Sequence, residues 1–238
     1  TCRLVFLRPC VHATNAKFTA FRQKFFHPVG FSTSNAAGVH LVLLADFFNL
    51  RAIAFGTPID NTWLKYGREF RDFRESYFWK YWTRQFAKAG LAYVLPINHI
   101  SEAGALEICK KSKLLVVVNS CLRGVSGSWC GECWKCFHKN GPLGRKINPQ
   151  SKEITEFLNT SPLRTAQHVL WTIQHQGMED LVPRLKKHLT DDLSWWIKAY
   201  SPGIDLCEGP WQDTIYKITT GLLQFMDATY KLERVNLQ

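Results

Sequence analysis

The sequence predicts an α/β fold with a parallel sheet, followed by a region built from helices alone. Up to about residue 120, short apolar runs alternate with helical segments through short links, an order typical of parallel strands joined by right-handed crossovers. After Pro149 no segment has a convincing strand pattern. We therefore expect an α/β domain over residues 1–145 and an all-helical extension over residues 146–238.

Four apolar runs are predicted as strands, and four longer segments between them as helices. The strands are Cys2–Leu7, Arg51–Gly56, Leu91–Pro96 and Lys113–Ser120, the last continuously apolar, as in strands that a parallel sheet buries on both faces. The helices are Asn15–Phe26, Ala36–Leu50, Arg68–Gly90 and Ser101–Lys111. Ser101 is expected to be an N-cap, and Gly90 to occupy a C′ position.

The extension is predicted as a series of helices, among them PLRTAQHVLWTIQHQG and TDDLSWWIKAY, with Thr190 as an N-cap. Its last helix is predicted over Ile218–Leu232. His168 and His175 lie seven residues apart on one helix face, too far apart to chelate one ion, and are interpreted as structural.

The chain is basic, with 30 Lys and Arg against 19 Asp and Glu and a formal net charge of +11. This balance favours a polyanionic partner such as nucleic acid, or else a solvated basic surface. A membrane-spanning helix needs about 18 consecutive apolar residues. No apolar run of the sequence is that long, so no membrane span is expected. Because no secretory signal opens the chain, we expect an intracellular, cytoplasmic protein with reduced cysteines.

Four of the eight cysteines lie within sixteen residues, as Cys121, Cys130, Cys133 and Cys136. The spacing C-x8-C-x2-C-x2-C offers four soft ligands, which suit one zinc ion in a tetrahedral shell. Gly131 follows the second ligand, at a position where backbone amides commonly turn toward a thiolate. With no open coordination position, such a site is structural and contributes to the free energy of folding.

Three alternatives to zinc remain open from the residues alone: an iron–sulfur cluster, two disulfides, or a coincidental group of core cysteines. The usual iron–sulfur spacings differ from this one. Trp129, Trp134 and Phe137 flank the ligands, with basic residues beside them. These aromatics could stack nucleic-acid bases, but we favour a role in packing the cysteine-rich segment onto the helical extension.

The stretch NSCLRGVSGSWCGECWKC resembles the zinc site of the 7-cyano-7-deazaguanine synthases. These enzymes of queuosine biosynthesis belong to the PP-loop ATP pyrophosphatase superfamily. The resemblance implies that the four cysteines hold one structural Zn²⁺, and that the α/β domain is of the PP-loop, adenine nucleotide alpha hydrolase-like type. It covers roughly Pro28–Asn140, whereas the helical extension resembles that of longer accessory relatives, including some in bacterial antiphage systems.

The chain departs from this family where ATP is held. The family's Ser-Gly-Gly-x-Asp-Ser loop, which cradles pyrophosphate, is missing, and LRPCVHATN follows the first predicted strand without a glycine. Glu102 stands where the family has Lys. We expect either that the loop lies on a segment before Thr1, or that the chain has lost nucleotide chemistry.

Three functions follow from this reading. An active relative would be an ATP-dependent ligase, using ATP and Mg²⁺ to adenylylate a deazapurine or another carboxylate. The alternatives are a catalytically degenerate subunit whose extension contacts protein partners, with an oligomer left open, and a basic nucleic-acid-binding module. Ligands of open α/β sheets bind at the carboxyl ends of the strands. On this basis the candidate catalytic residues are Asp60 and His99. The candidate cofactor-binding residues are Ser34, Asn35, Gly56 and Asp60.

Overall fold

The computed structural model describes residues 42–237 apart from residues 119, 122, 125–127 and 208. The predictions made for residues 1–41 therefore lie outside the described part, as do the candidates Ser34 and Asn35. The chain forms two compact units, of which the first includes the described residues 42–55 and 81–93. The second unit holds residues 56–80 and 94–237.

The described elements are short strands, five α-helices, one π-helix and several 3₁₀ helices. The strands are β1 (Ala52–Ala54), β2 (Leu64–Lys65), β3 (Glu69–Phe70) and β4 (Ala92–Val94). The α-helices are α1 (Tyr77–Lys88), α2 (Glu102–Lys111), α3 (Lys152–Leu158), α4 (Ala166–Gln176) and α5 (Pro210–Leu222), and Cys136–Asn140 is the π-helix. The 3₁₀ helices are Ile59–Asn61, Phe73–Glu75, Leu114–Val116, Glu179–Leu181, Pro183–His188, Ser194–Ile197, Ser201–Leu206 and Lys231–Arg234.

The first unit contains a strand–helix–strand arrangement. β1 pairs with β4 in a parallel two-stranded sheet, and the amide of Ala92 donates to the carbonyl of Arg51 at 3.1 Å. The ring of Phe86 in α1 stacks on Tyr93 of β4 at 5.4 Å. The predicted strands at Arg51–Gly56 and Leu91–Pro96 are thus confirmed in shorter form, while a wider PP-loop sheet stays a prediction.

The helix predicted over Arg68–Gly90 begins only at Tyr77, so its first half was wrong. β3 instead pairs antiparallel with β2. Asp72 and Ser76 have extended backbone, with ψ of 106° and 139°, and they flank a single 3₁₀ turn, so an α-helix cannot run through them. The C-terminal end agrees with the prediction, because Gly90 follows α1 with a φ of +69°.

The buried strand predicted over Lys113–Ser120 is not formed in the described residues of that segment. Leu114–Val116 is a 3₁₀ helix, and the side chain of Val116 is 91% exposed. Lys113 has a φ of +57°, which turns the backbone out of an extended path directly after α2. No strand of the described residues pairs with this segment, whose carbonyls at Leu115 and Val118 instead accept from the guanidinium of Arg145.

After β4 the described residues form helices and isolated bridges, and no further strand. Two predicted positions in this region were wrong. Thr190 is not an N-cap, since the next helical turn begins at Ser194 after Leu193. The last α-helix is Pro210–Leu222 rather than Ile218–Leu232, because the chain turns extended at Leu223 and Met226 donates to the carbonyl of Ala199. The predicted domain boundary near residue 145 stays a prediction.

The segment before α2 is buried within the second unit by residues from the C-terminal part of the chain. The indole N–H of Trp63 donates to Asn98 Oδ1 at 3.1 Å, and the amide of Tyr200 donates to the carbonyl of His99 at 2.8 Å. Ser101 donates its hydroxyl to the carbonyl of Trp196 and accepts from Gly104 at 3.0 Å, which confirms it as the N-cap of α2. None of the described helices is long and apolar enough to cross a membrane.

Candidate metal centre

The four clustered cysteines converge in the structure. Their Sγ atoms all lie within 4.8 Å of one another. The closest pairs are Cys133 and Cys136 at 3.5 Å, Cys130 and Cys136 at 3.8 Å, and Cys121 and Cys133 at 3.9 Å. A tetrahedral ion with Zn–S bonds of about 2.3 Å requires S···S separations of about 3.8 Å. The group could therefore hold one metal ion such as zinc.

The backbone around the four sulfurs presents hydrogen-bond donors to them. The amide of Cys130 donates to Cys121 Sγ at 3.3 Å, and the amide of Glu132 donates to Cys130 Sγ at 3.5 Å. Asn140 Nδ2 donates to Cys136 Sγ at 3.2 Å from the end of the π-helix. Such donors stabilise thiolates, so they suit the deprotonated form that binds metal.

The pKa values of the thiols of Cys121, Cys133 and Cys136 are shifted, and burial is the largest influence on each of these three. The pKa of Cys133 is raised to about 12, chiefly by burial and to a smaller extent by the neighbouring sulfurs. At Cys121 burial also acts to raise the pKa, but hydrogen bonds from the amides of Cys130 and Arg123 outweigh it and lower the pKa to about 6. Four thiolates this close together need a cation between them, because like charges in a buried site strongly disfavour ionisation.

The described sulfurs are not joined as disulfides. Even the shortest S···S distance among the four, 3.5 Å between Cys133 and Cys136, is far longer than a disulfide bond of about 2.05 Å. Three of the separations, 3.5 to 3.9 Å, are close to the about 3.8 Å expected around one tetrahedral ion.

The aromatic residues beside the cysteines pack against protein. Trp134 stacks on Phe157 of α3 at 5.7 Å, and the guanidinium of Arg145 lies over the ring of Trp129 at 4.7 Å. Arg145 is itself held by three hydrogen bonds to oxygen atoms of the protein. These contacts favour the packing role over base stacking, although both tryptophans keep more than a third of their surface exposed.

Asp60 lies at the N-terminus of α2, not in an open pocket. It is buried, and its Oδ2 accepts from the amide of Glu102 at 2.8 Å, while no hydrogen-bond partner is described for Oδ1. Burial, and then the charge of Glu102, raise the pKa of Asp60 to about 7. A Cβ placed on Gly56 would meet Ile97 at an ordinary 3.8 Å, so nothing there requires a glycine. Burial and hydrogen bonding suit Asp60 to capping the helix.

His99 is also buried, against α5. Its Nε2 lies 2.8 Å from the hydroxyl of Thr219, which donates its own proton to the carbonyl of Ile215 at 2.8 Å. Nε2–H is therefore the donor, and Nδ1 keeps a lone pair for which no partner is described. Burial lowers the pKa of His99 to about 4. The imidazole is thus neutral at physiological pH.

A second group of metal-ligand side chains was missed from the sequence. Ligand atoms of Glu102, His138 and His168 also lie within 4.8 Å of one another. These residues come from α2, the π-helix and α4, so no local spacing joins them. The local signal in the sequence was His138, two residues after Cys136.

The fold and the site define a protein of mixed strands and helices with a four-cysteine centre that could hold a metal ion. Residues 81–234, well over half of the chain, match a family of unknown function, DUF6395. The chain therefore belongs to the DUF6395 family. No curated protein and no solved structure is significantly similar to it.

Proposed function

We propose that this chain is a zinc protein of the deazaguanine-synthase-like type, in which Cys121, Cys130, Cys133 and Cys136 bind one structural Zn²⁺. The observation that carries the proposal is the convergence of the four Sγ atoms within 4.8 Å, with three S···S distances of 3.5 to 3.9 Å that one tetrahedral ion would fit. Four thiolates complete the shell, so the ion would contribute stability and not catalysis.

The zinc would fix the position of α3 and the π-helix. Ser151, the N-cap of α3, donates its hydroxyl to the carbonyl of Glu132 at 2.7 Å, and Glu153 forms an ion pair with Arg123. The amide of Asn148 donates to the carbonyl of Gly131 at 2.8 Å. A structural ion at the cysteines would thus stabilise the loop that contains Gly131 and Glu132, to which Asn148 and Ser151 are hydrogen-bonded.

The test is metal content combined with paired serine variants. Purified protein should carry zinc at the cysteines, and Cys133→Ser should lose that ion and several kcal/mol of stability, on the order of what a structural zinc site contributes. Cys109→Ser is the matched control, because Cys109 is a free thiol of α2 outside the cluster. Equal zinc in both variants would refute the proposal.

We further propose that the chain descends from an ATP-dependent carboxylate-activating enzyme and now acts as a structural or interaction subunit. The burial of Asp60 and His99 favours this over an active ligase, since both candidate catalytic groups are enclosed by protein. The helical extension would supply the surface for protein partners. The basic net charge keeps nucleic acid as a second class of partner.

Calorimetry with ATP and Mg²⁺ tests this second proposal. The chain is expected to show no saturable heat of binding, because no phosphate-cradling Ser-Gly-Gly-x-Asp-Ser or G-x4-G-K-[ST] loop is present in its sequence. Saturable binding that Asp60→Asn weakens would instead assign an ATP site to this chain and restore the ligase hypothesis.

A further inference from the structure

We propose that Glu102, His138 and His168 form a second metal site, distinct from the four cysteines, which binds one divalent transition-metal ion of the zinc type. The three residues lie in one compact unit but on three separate elements. Two imidazoles and one carboxylate are a ligand set that suits zinc and its neighbours in the first transition row.

The first observation is geometric. One ligand atom from each side chain lies within 4.8 Å of the other two, and the two imidazole centres are 4.9 Å apart. Bonds of about 2.0–2.2 Å to nitrogen and oxygen would draw these atoms somewhat closer around a single ion.

The second observation is an unsatisfied nitrogen. His138 is buried, and no hydrogen-bond partner is described for its Nε2. Trp134 and Phe157 pack edge-on to the ring, at 5.4 and 5.1 Å between ring centres, and offer that nitrogen no polar atom. Leaving a buried polar atom unpaired costs about 1–3 kcal/mol, a cost that a bound ion would remove.

His168 is oriented as metal-binding histidines commonly are. The indole of Trp196 can only donate, so its contact to Nδ1 at 3.4 Å places a lone pair on Nδ1. Nε2–H then donates to the carbonyl of His138 at 3.0 Å. A hydrogen bond from one ring nitrogen to a backbone carbonyl is the usual outer-shell arrangement at metal sites. To bind an ion, Nδ1 of His168 would exchange its long contact with the indole of Trp196 for the metal.

The π-helix explains how His138 reaches this position. Cys136–Asn140 closes with the amide of Gly141 on the carbonyl of Cys136 at 2.9 Å, one residue wider than an α-helical turn. Such π turns are rare and often mark functional sites. Here the wider turn carries Cys136 in one ligand group and His138 in the other.

The charge and exposure of Glu102 make the site accessible. Lys139 Nζ lies 3.7 Å from Glu102 Oε2, and both side chains are partly exposed, at 32% and 23%. An arriving cation would therefore displace a mobile ammonium group from the carboxylate. With three protein ligands, the ion keeps a position for water or a substrate, unlike the closed cysteine shell.

Cobalt and zinc loading test the proposal, because the two sites differ in ligand chemistry. Co²⁺ bound by four thiolates gives an intense sulfur-to-metal charge-transfer band, whereas two imidazoles and a carboxylate give only weak visible bands. Metal-depleted protein titrated with either ion is expected to take two equivalents per chain. Glu102→Gln should take one, with the charge-transfer band intact, and Cys133→Ser should take one without the full band.

Glu107→Gln is the matched control, since Glu107 is a second partly buried carboxylate on α2 and pairs with Lys110 and Lys111. It should still take two ions. In Glu102→Gln and Glu107→Gln, the charge-transfer band also reports that the variant keeps its folded cysteine centre. Uptake of a single ion by the unaltered chain, lost in Cys133→Ser, overturns the proposal, as does a second ion that Glu102→Gln retains.

Discussion

The buried side chain of His99 makes the free energy of unfolding depend on pH. Its neutral ring donates from Nε2 to Thr219, and Gly203 lies so close that a Cβ placed there would fall 2.6 Å from the Cβ of His99. There is no room for the hydration that an imidazolium needs, and this is why burial lowers the pKa of His99 to about 4.

We expect His99 to lower the free energy of unfolding as the pH drops from about 6.5 to about 4. In this window the unfolded chain binds a proton at His99 that the folded chain does not, so acid favours unfolding, and above about pH 6.5 this residue has no effect. The slope is at most about 1.4 kcal/mol per pH unit. Urea unfolding at pH 7 and pH 5 measures it, and His99→Gln should narrow the difference in stability.

Thr219→Val separates this titration from a simple loss of packing. The valine removes the hydroxyl next to Nε2 but keeps a buried, titratable ring, so stability should fall at both pH values while the pH difference persists. If His99→Gln keeps the full pH difference as well, His99 is not the group responsible.

Individual residues were predictable from the sequence where their chemistry is local. The four cysteines converge as their spacing predicts. Cys121 and Cys133 are only twelve positions apart in the sequence, and their Sγ atoms lie 3.9 Å apart. Ser101 caps α2 for the same reason, since the N-cap hydrogen bond joins residues within a single helical turn. Glu102 and His168 are 66 positions apart in the sequence, and only tertiary packing brings them together.

At the scale of elements, the predictions failed where a segment depends on a distant partner. KLLVVVNS has the composition of a buried strand, yet a strand needs a neighbour to take up its backbone hydrogen bonds. Arg145 provides a side-chain donor instead, to Leu115 and Val118. The helix α4 was predictable because its apolar periodicity and Gly177 directly after its last turn determine it within one segment.

At the scale of the whole molecule, a metal ion at the four cysteines would organise only part of the chain. Direct hydrogen bonds, an ion pair and aromatic stacking join the cysteine-rich loop to α3. The core of Ile100, Ala199 and Leu223 lies in the same unit but is built from apolar contacts that involve none of the four cysteines. Removal of metal should therefore loosen one region and leave another folded.

Hydrogen exchange before and after chelation measures this division. Without metal, amides of residues 128–158 should exchange at least about tenfold faster, equivalent to about 1.4 kcal/mol of lost local stability, because unpaired buried thiolates cannot remain together. Amides of α5 should keep their protection, since that helix is held by its contacts to His99 and Ala199. Restoring zinc should reverse the change. Exchange that rises equally in α5 and in residues 128–158 would show that the ion holds the whole unit together, and no change in either would show that the cysteines need no ion to keep their arrangement.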